Sequence, residues 1–218
     1  MTDGTTAVIL IKKGGEMKKF ELTSEFTTFF GKKLFRIKAL ISFGGVEAGE
    51  LGGYVEKEEN LSDEGNAWVY GDARVYGDAR VYGDARVYGD ARVYGDARVY
   101  GDARVYGNAW VYGDARVYGD ARVYGDARVY GDARVYGDAR VYGDADYTTI
   151  KGFGRVHRNT TFFRCEGGSI GVACGCFYGT LSEFREIVKR THGESKIAKE
   201  YLMIADLMEF HFNKEESE

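Results

Sequence analysis

The sequence predicts a mainly β fold whose middle is wound into a stack of coils, with small modules closing its two ends. Three observations predict it. Thirteen copies of Val-Tyr-Gly follow one another at a fixed step of six residues, from Val69 to Val141. A short fixed period is the signature of a stacked repeat architecture. Within each unit the order Val-Tyr-Gly-Asp-Ala-Arg alternates apolar and polar side chains with the period of two that belongs to extended chain. Finally, every unit carries Gly-Asp, residues that favour corners: Gly accepts positive φ, and Asp bonds to its own backbone.

Take Ala79, Arg80 and Val81. Ala79 and Val81 face one side, Arg80 the other, and the following Gly83-Asp84 turns the chain. Each unit is therefore a strand of about four residues and a corner. A helix is excluded, since a Gly in every sixth position would cost about 1 kcal/mol each relative to Ala and no 3.6-residue period exists. A meander of hairpins is disfavoured, because its strands would be very short and every turn would reverse the chain. A coil that bends the same way at each Gly-Asp stacks Val on Val, Ala on Ala and Arg on Arg, at about 4.8 Å per layer.

The tandem Val-x-x-x-Ala-x pattern resembles the hexapeptide repeat of left-handed parallel β-helices. That resemblance implies three hexads per triangular coil of 18 residues, an interior filled by the aliphatic and small residues, and the left-handed sense. On it, 66–150 forms the β-helix. Each full unit is charge-neutral, so its faces carry neither a nucleic-acid footprint nor an acidic mimic of one. Stacked Arg side chains repel one another, and interleaved Asp carboxylates and Tyr rings are expected to offset this by ion pairing and cation–π contact.

Two breaks interrupt the pattern. Trp68 and Trp110 take the Arg slot, preceded by Asn66 and Asn108 in the Asp slot. They lie seven hexads apart, which places them on neighbouring faces. The plainer reading is a tandem duplication that carried Asn-Ala-Trp along; the sharper one is a pair of exposed aromatic contact points. Trp68, Trp110, Arg74, Arg80, Arg116, Tyr76 and Tyr112 are the candidate interaction surface.

The flanks read differently. Lys13-Gly14-Gly15-Glu16-Met17 is encodable by codons that contain a bacterial ribosome-binding site before a start codon. Residues 1–16 are therefore expected to be a disordered extension or a start-site artefact. Residues 17–65 read as an N-terminal β cap, with strands around Lys19–Leu22 and Leu34–Leu40. Tyr54-Val55 and Leu61 stand six apart, so irregular coils are expected to begin there, with a two-residue insertion before Val69. Terminal repeats are expected to be atypical because a bare end exposes strand edges and core.

Residues 151–218 read as a C-terminal module. Thr160–Cys165 and Ser169–Cys176 flank Glu166-Gly167-Gly168 as a hairpin. Thr180 to Glu183 is a capping box opening a helix to about Thr191, and Ser195–Phe212 is a second helix.

These flanks carry a second resemblance. Ala48-Gly49-Glu50-Leu51-Gly52-Gly53-Tyr54-Val55-Glu56, Gly175-Cys176-Phe177-Tyr178-Gly179-Thr180-Leu181, and Thr191-His192-Gly193 are similar to the ends of uncharacterised hexapeptide-repeat proteins of bacteria and prophages. The resemblance implies an origin and brings no activity with it.

Chemistry-bearing residues are sparse. Cys165, Cys174 and Cys176 are weak metal candidates with His157, His192 or His211, because Cys-x-Cys alone is a poor zinc signal. On a strand, Cys174 and Cys176 would share the side of Ile170 and Val172, and three reduced core cysteines is the plainer reading. Gly-Asp corners lack the calcium-binding nonapeptide pattern. Related solenoid acyltransferases use a His between subunits, and the repeats contain none. No cofactor is expected.

An odd number of cysteines argues against a disulfide framework and fits a reducing bacterial cytoplasm. No apolar run reaches the length of a membrane span. The expected function is a non-enzymatic structural or interaction scaffold, binding a protein or its own copies, with no nucleic acid and no membrane partner. The alternatives are an enzyme or zinc-binding module at the C-terminus, or a phage-encoded inhibitor of a host protein.

Overall fold

The computed structural model describes residues 12–13 and 16–213. The expectation for 1–16 lies outside the described residues apart from a short antiparallel pairing of Lys12–Lys13 with Glu16–Met17.

The repeats form a solenoid with 18 residues per coil. Arg92 pairs with Arg74 on one side and Trp110 on the other, Arg98 with Arg80 and Arg116, and Arg104 with Arg86 and Arg122, all in parallel register. Three faces result, each a parallel sheet of two-residue Arg-Val or Trp-Val strands. The strands are shorter than the four residues expected. Only Arg-Val keeps full ladder pairing, while Ala and Tyr flank it and still bond across coils, as in Arg80 N–H to Ala97 C=O (2.9 Å) and Tyr82 N–H to Val99 C=O (3.1 Å).

Every repeat Val and Ala from Ala67 to Val141 is fully buried in one continuous core. Alternation dictates this: one side of each strand must face inward, and only the small and branched residues stand there. The corners depend on Gly. Gly101 has φ +67°, and a Cβ there would stand 3.0 Å from the backbone N of Gly119 in the next coil. Glycine is thus needed both for the left-handed backbone and for the close stacking of coils.

The first coil is built from irregular sequence. Val55 pairs with Val75, Leu61 bridges to Val81, and Val69 pairs with Val87. The offsets are twenty, twenty and eighteen residues, so the two extra residues sit at the corner between Leu61 and Val69, as expected. The coils thus start ahead of the regular repeats at residue 66: parallel pairing begins at Tyr54-Val55, where irregular coils were expected, while Leu51 of the same strand still pairs with Lys38 of the cap.

The antiparallel strands Phe20–Phe29 and Lys32–Ala39 then extend that same face, giving a seven-stranded sheet that is parallel over the coils and antiparallel over the cap. Phe20, Ile37, Ala39 and Val46 from the cap join the solenoid core. The first strand continues through Phe29, and the turn to the second is at Phe30-Gly31.

At the other end four antiparallel strands run Tyr147–Phe153, Arg158–Arg164, Ile170–Cys174 and Phe177–Thr180. Two of these, the first and the last, are absent from the sequence reading. The sheet is buried on both sides. Phe163 and Ala173 close the end of the solenoid, while Phe162 and Val172 pack on the helices Leu181–His192 and Lys196–Phe212. Both helix starts follow the sequence: Glu183 N–H donates to Thr180 Oγ1 (3.2 Å) and Ala198 N–H to Ser195 Oγ (3.3 Å).

Two substitutions separate the roles of the corner glycine. Gly131 has φ +63° with nothing near its missing Cβ, so Gly131→Ala meets only the backbone penalty of about 1 kcal/mol. Gly101→Ala adds the contact with Gly119, and denaturant unfolding is expected to show it as the more destabilised of the two. Val117→Ala, in the middle of the core, is expected to cost about 2 kcal/mol in the same assay.

Candidate interaction surface

Outside the core, parallel register turns each repeat position into a column. Tyrosines stack along the three edges. Tyr82, Tyr100 and Tyr118 follow one another at 4.8 and 4.7 Å between ring centroids, with planes within 4° of parallel. Tyr76, Tyr94 and Tyr112 do the same at 4.9 Å. The coil spacing supplies this geometry, since it lies within the range favoured for offset ring stacking. Half-burial raises the Tyr94, Tyr100, Tyr106 and Tyr118 phenols above their ordinary range, and burial pushes Tyr76 up to about 12.

The Arg columns differ from expectation. Among the described residues no repeat Arg lies within ion-pairing distance of a repeat Asp carboxylate; Arg140 pairs instead with Glu166 of the C-terminal module. Asp and Arg of one rung are two residues apart, a span that a guanidinium can bridge, but the side chains are turned apart: Arg140 Nη1 donates to the backbone carbonyls of Asp138 (3.0 Å) and Asp120 (3.1 Å) and not to their carboxylates. The Tyr rings stack on one another and are not interleaved with Arg.

Cation–π contact falls to the exceptional aromatics. Trp110 is held between Arg92 and Arg128, at 4.7 and 5.2 Å, and Phe29 of the N-terminal hairpin covers Arg74 and Arg92 at 4.9 and 4.8 Å. The Asn in each break has a separate role: Asn66 Nδ2 donates to Asp84 Oδ1, and Asn108 Nδ2 to Asp126 Oδ1 (3.1 Å). An amide therefore replaces one carboxylate of a self-repelling column.

The candidate residues divide accordingly. Trp68 is corrected: it is fully buried, edge-on to Phe20 and Phe43 at 6.4 and 5.4 Å, because the N-terminal cap folds over the first coil. Tyr76 is buried beside Phe29 (5.8 Å), and Arg74 is half-buried under the same ring, so neither is an open contact point. Trp110 and Trp68 do lie on neighbouring faces. Tyr112 stands mid-column, half-buried. Arg116 is half-buried and Arg80 exposed on the face where Arg80, Arg98 and Tyr82 line an open cleft of about 540 Å³ with Glu58, Glu59 and Asp63.

The cysteines are not assembled. Among the described residues no group of three His, Cys, Asp or Glu side chains is placed to hold a metal. Cys165 is buried against the solenoid end, and burial pushes its thiol up to about 12. Cys174 is half-buried and accepts from Thr160 Oγ1 (3.2 Å). Cys176 is exposed, which corrects the expectation of three core cysteines. The strand ends at Cys174, and Gly175-Cys176 is the turn to the next one.

Sequence reasoning missed the groups that close the ends. Coil n donates Arg and Tyr N–H groups to Ala and Val carbonyls of coil n+1. The N-terminal end therefore leaves carbonyls in need of donors, and the C-terminal end leaves N–H groups in need of acceptors. Lys19, buried, donates through Nζ to the carbonyls of Ala67 (2.9 Å) and Gly65 (3.3 Å). Asn60, also buried, donates to the carbonyls of Ala79 (2.9 Å) and Gly77 (3.0 Å).

At the far end Arg128 N–H donates to Asp144 Oδ1 (2.9 Å), Arg134 N–H to Thr161 Oγ1 (3.1 Å), and Tyr142 N–H to Asp146 Oδ2 (2.9 Å). A cationic donor thus caps one end and anionic acceptors the other. The sequence signal was faint: Asp146 stands in an Arg slot, but nothing marks Lys19.

Residues 67–83, 73–89, 79–95, 85–99, 97–113, 109–125, 115–131, 121–135 and 133–145 match the family described as YdcK Beta solenoid repeat. All these stretches lie in the coils, and the chain is similar to such proteins over its solenoid; it is a β-solenoid repeat protein. No curated protein matches the chain.

The end caps set the alkaline behaviour. Burial lowers Lys19 to about 8, opposed by Asp63 and Asp84. An unfolded Lys titrates near 10.4, so between about 8 and 10 the unfolded chain holds more protons and this group's contribution to stability rises with pH. The tyrosines act oppositely. Their raised values mean that stability present below about pH 10 is lost as pH rises through the folded values. Thermal midpoints scanned from neutral to alkaline pH are expected to fall steeply above about 10, and Lys19→Met to remove the rise from 8 upward while destabilising at pH 7 by about 2 kcal/mol through two unsatisfied carbonyls.

Proposed function

We propose that this protein is a non-enzymatic scaffold whose solenoid presents repeated columns of Arg, Tyr and Asp to a protein partner. The observation that carries the reading is the columns themselves. Four or five equivalent rungs per face give a surface whose length is set by the number of coils, and no rung differs enough from its neighbours to define a single reaction centre. Arg and Tyr are also the residues that interfaces concentrate.

The three free thiols support a reducing, cytoplasmic setting. Among the described residues no helix is long and apolar enough to cross a membrane. A phage-encoded inhibitor would be one form of this scaffold, with a host protein as its partner.

A second reading rests on one observation. A pocket of about 260 Å³ between the C-terminal sheet and helices is lined by Cys174, His192, Tyr201 and Arg155 among apolar walls of Phe177, Phe184, Ile187 and Val188. It supports a small-molecule role for that module; Cys174 and His192 alone are too few to hold zinc.

Affinity capture from a bacterial extract with the wild-type chain and with an Arg98→Glu/Arg116→Glu variant separates the two. The scaffold reading expects a defined protein retained by wild type and lost from the variant, with melting temperatures alike. A small-molecule fragment that raises the melting temperature of the wild-type chain and not of Cys174→Ser would favour the second.

A further inference from the structure

Each face of the solenoid carries three side-by-side columns: Asp at the corner where the face begins, Arg at its middle and Tyr towards its far edge. Successive outward side chains on extended backbone lie about 6.6 Å apart, and rungs within a column about 4.8 Å apart.

On the face built on Arg80, Arg98, Arg116 and Arg134 the columns are in register throughout. Its ends are engaged: Arg134 donates to the carbonyl of Gly175 (3.0 Å), Asp78 pairs with Lys57 (2.7 Å), and Asp132 accepts from Asn159 (2.7 Å). Its middle is not. Arg80, Arg98 and Arg116 and the exposed carboxylates Asp96 and Asp114 have no ion pair among the described residues. Each column holds like charges one coil apart, beside an oppositely charged column about 6.6 Å away with which it forms no ion pair among the described residues.

A partner that relieves both columns at once must carry the opposite charge at the same pitch in both. The solenoid itself meets that requirement. We propose that two copies of this chain pair side by side through this face, with their axes parallel. The proposal rests on the scaffold reading and names its partner.

Symmetry selects the orientation. A two-fold axis parallel to the solenoid exchanges left and right on the face, so each Asp column lies over the partner's Arg column, rung for rung. A two-fold axis across the solenoid leaves left and right unchanged and sets Asp on Asp and Arg on Arg. Closed dimers are the commonest assemblies, and here electrostatics admits one of the two. The face is only four rungs tall, about 14 Å, well short of the roughly 800 Å² per partner of a standard interface. The pairing is therefore weak and salt-sensitive.

Sedimentation equilibrium of the full chain tests this. Self-association is expected at low salt and is expected to weaken by about tenfold or more when the Debye length is cut from about 10 to 3 Å. Asp96→Arg/Asp114→Arg makes the middle of the face positive in both columns, and Arg98→Asp/Arg116→Asp makes it negative in both. Each variant is expected to be monomeric alone, and the equimolar mixture to dimerise, which also shows that both are folded.

Orientation is read by oxidative cross-linking in a Cys176→Ser background. Asp96→Cys mixed with Arg98→Cys is expected to form the heterodimer, whereas a stronger cross-link in Asp96→Cys alone would overturn the parallel arrangement. A wild-type chain that stays monomeric at low salt to about 1 mM overturns the proposal. If that chain still captures a different protein in the experiment above, the scaffold reading stands without it.

Discussion

The close approach of coil to coil at the glycine corners governs the rest of this molecule. A left-handed backbone turn every six residues, with the next turn's N–H a few ångströms away, fixes the coil at three hexads and holds every rung in register. Register is what buries each Val and Ala completely, and it also forces identical outward side chains into columns. Tyrosine tolerates this well because rings one coil apart stack. Aspartate and arginine tolerate it poorly because like charges align. One geometric constraint thus produces both the core and the unresolved charge of the surface.

The same directionality explains the two ends. A parallel ladder donates more N–H groups in one direction than it returns, so its ends are chemically unlike. Lys19 and Asn60 bring donors to one end; Asp144, Asp146 and Thr161 bring acceptors to the other. Each cap also covers apolar core, Phe20 and Ile37 at the start and Phe163 and Ala173 at the finish. Uncapped solenoid edges invite addition of further strands, and these caps block that route, leaving the faces as the open surface.

The repeat exposes little unique chemistry, and the exceptions are local. Trp110 is clasped by two guanidinium groups, and Asn66 and Asn108 each convert a carboxylate contact into an amide–carboxylate hydrogen bond. Whatever the origin of the two Asn-Ala-Trp blocks, their consequences diverge. Identical sequence lies buried under the cap at Trp68 and half-open on a face at Trp110. The neighbours decide the role.

The repeat period, the alternation inside it and the glycine corners were legible because they are local: six residues carry strand, bend and inward face together. The capping box at Thr180 and the two-residue insertion before Val69 were legible for the same reason. What the tertiary structure alone decided depends on residues far apart in the chain. Lys19 reaches Ala67, Phe29 covers Arg74, and Phe163 seats on the last coil, and each of these contacts depends on how a cap folds across an end. The missing Arg–Asp pairs belong here too. Composition makes every unit neutral, but only the arrangement of side chains on the folded face leaves its two charges unpaired.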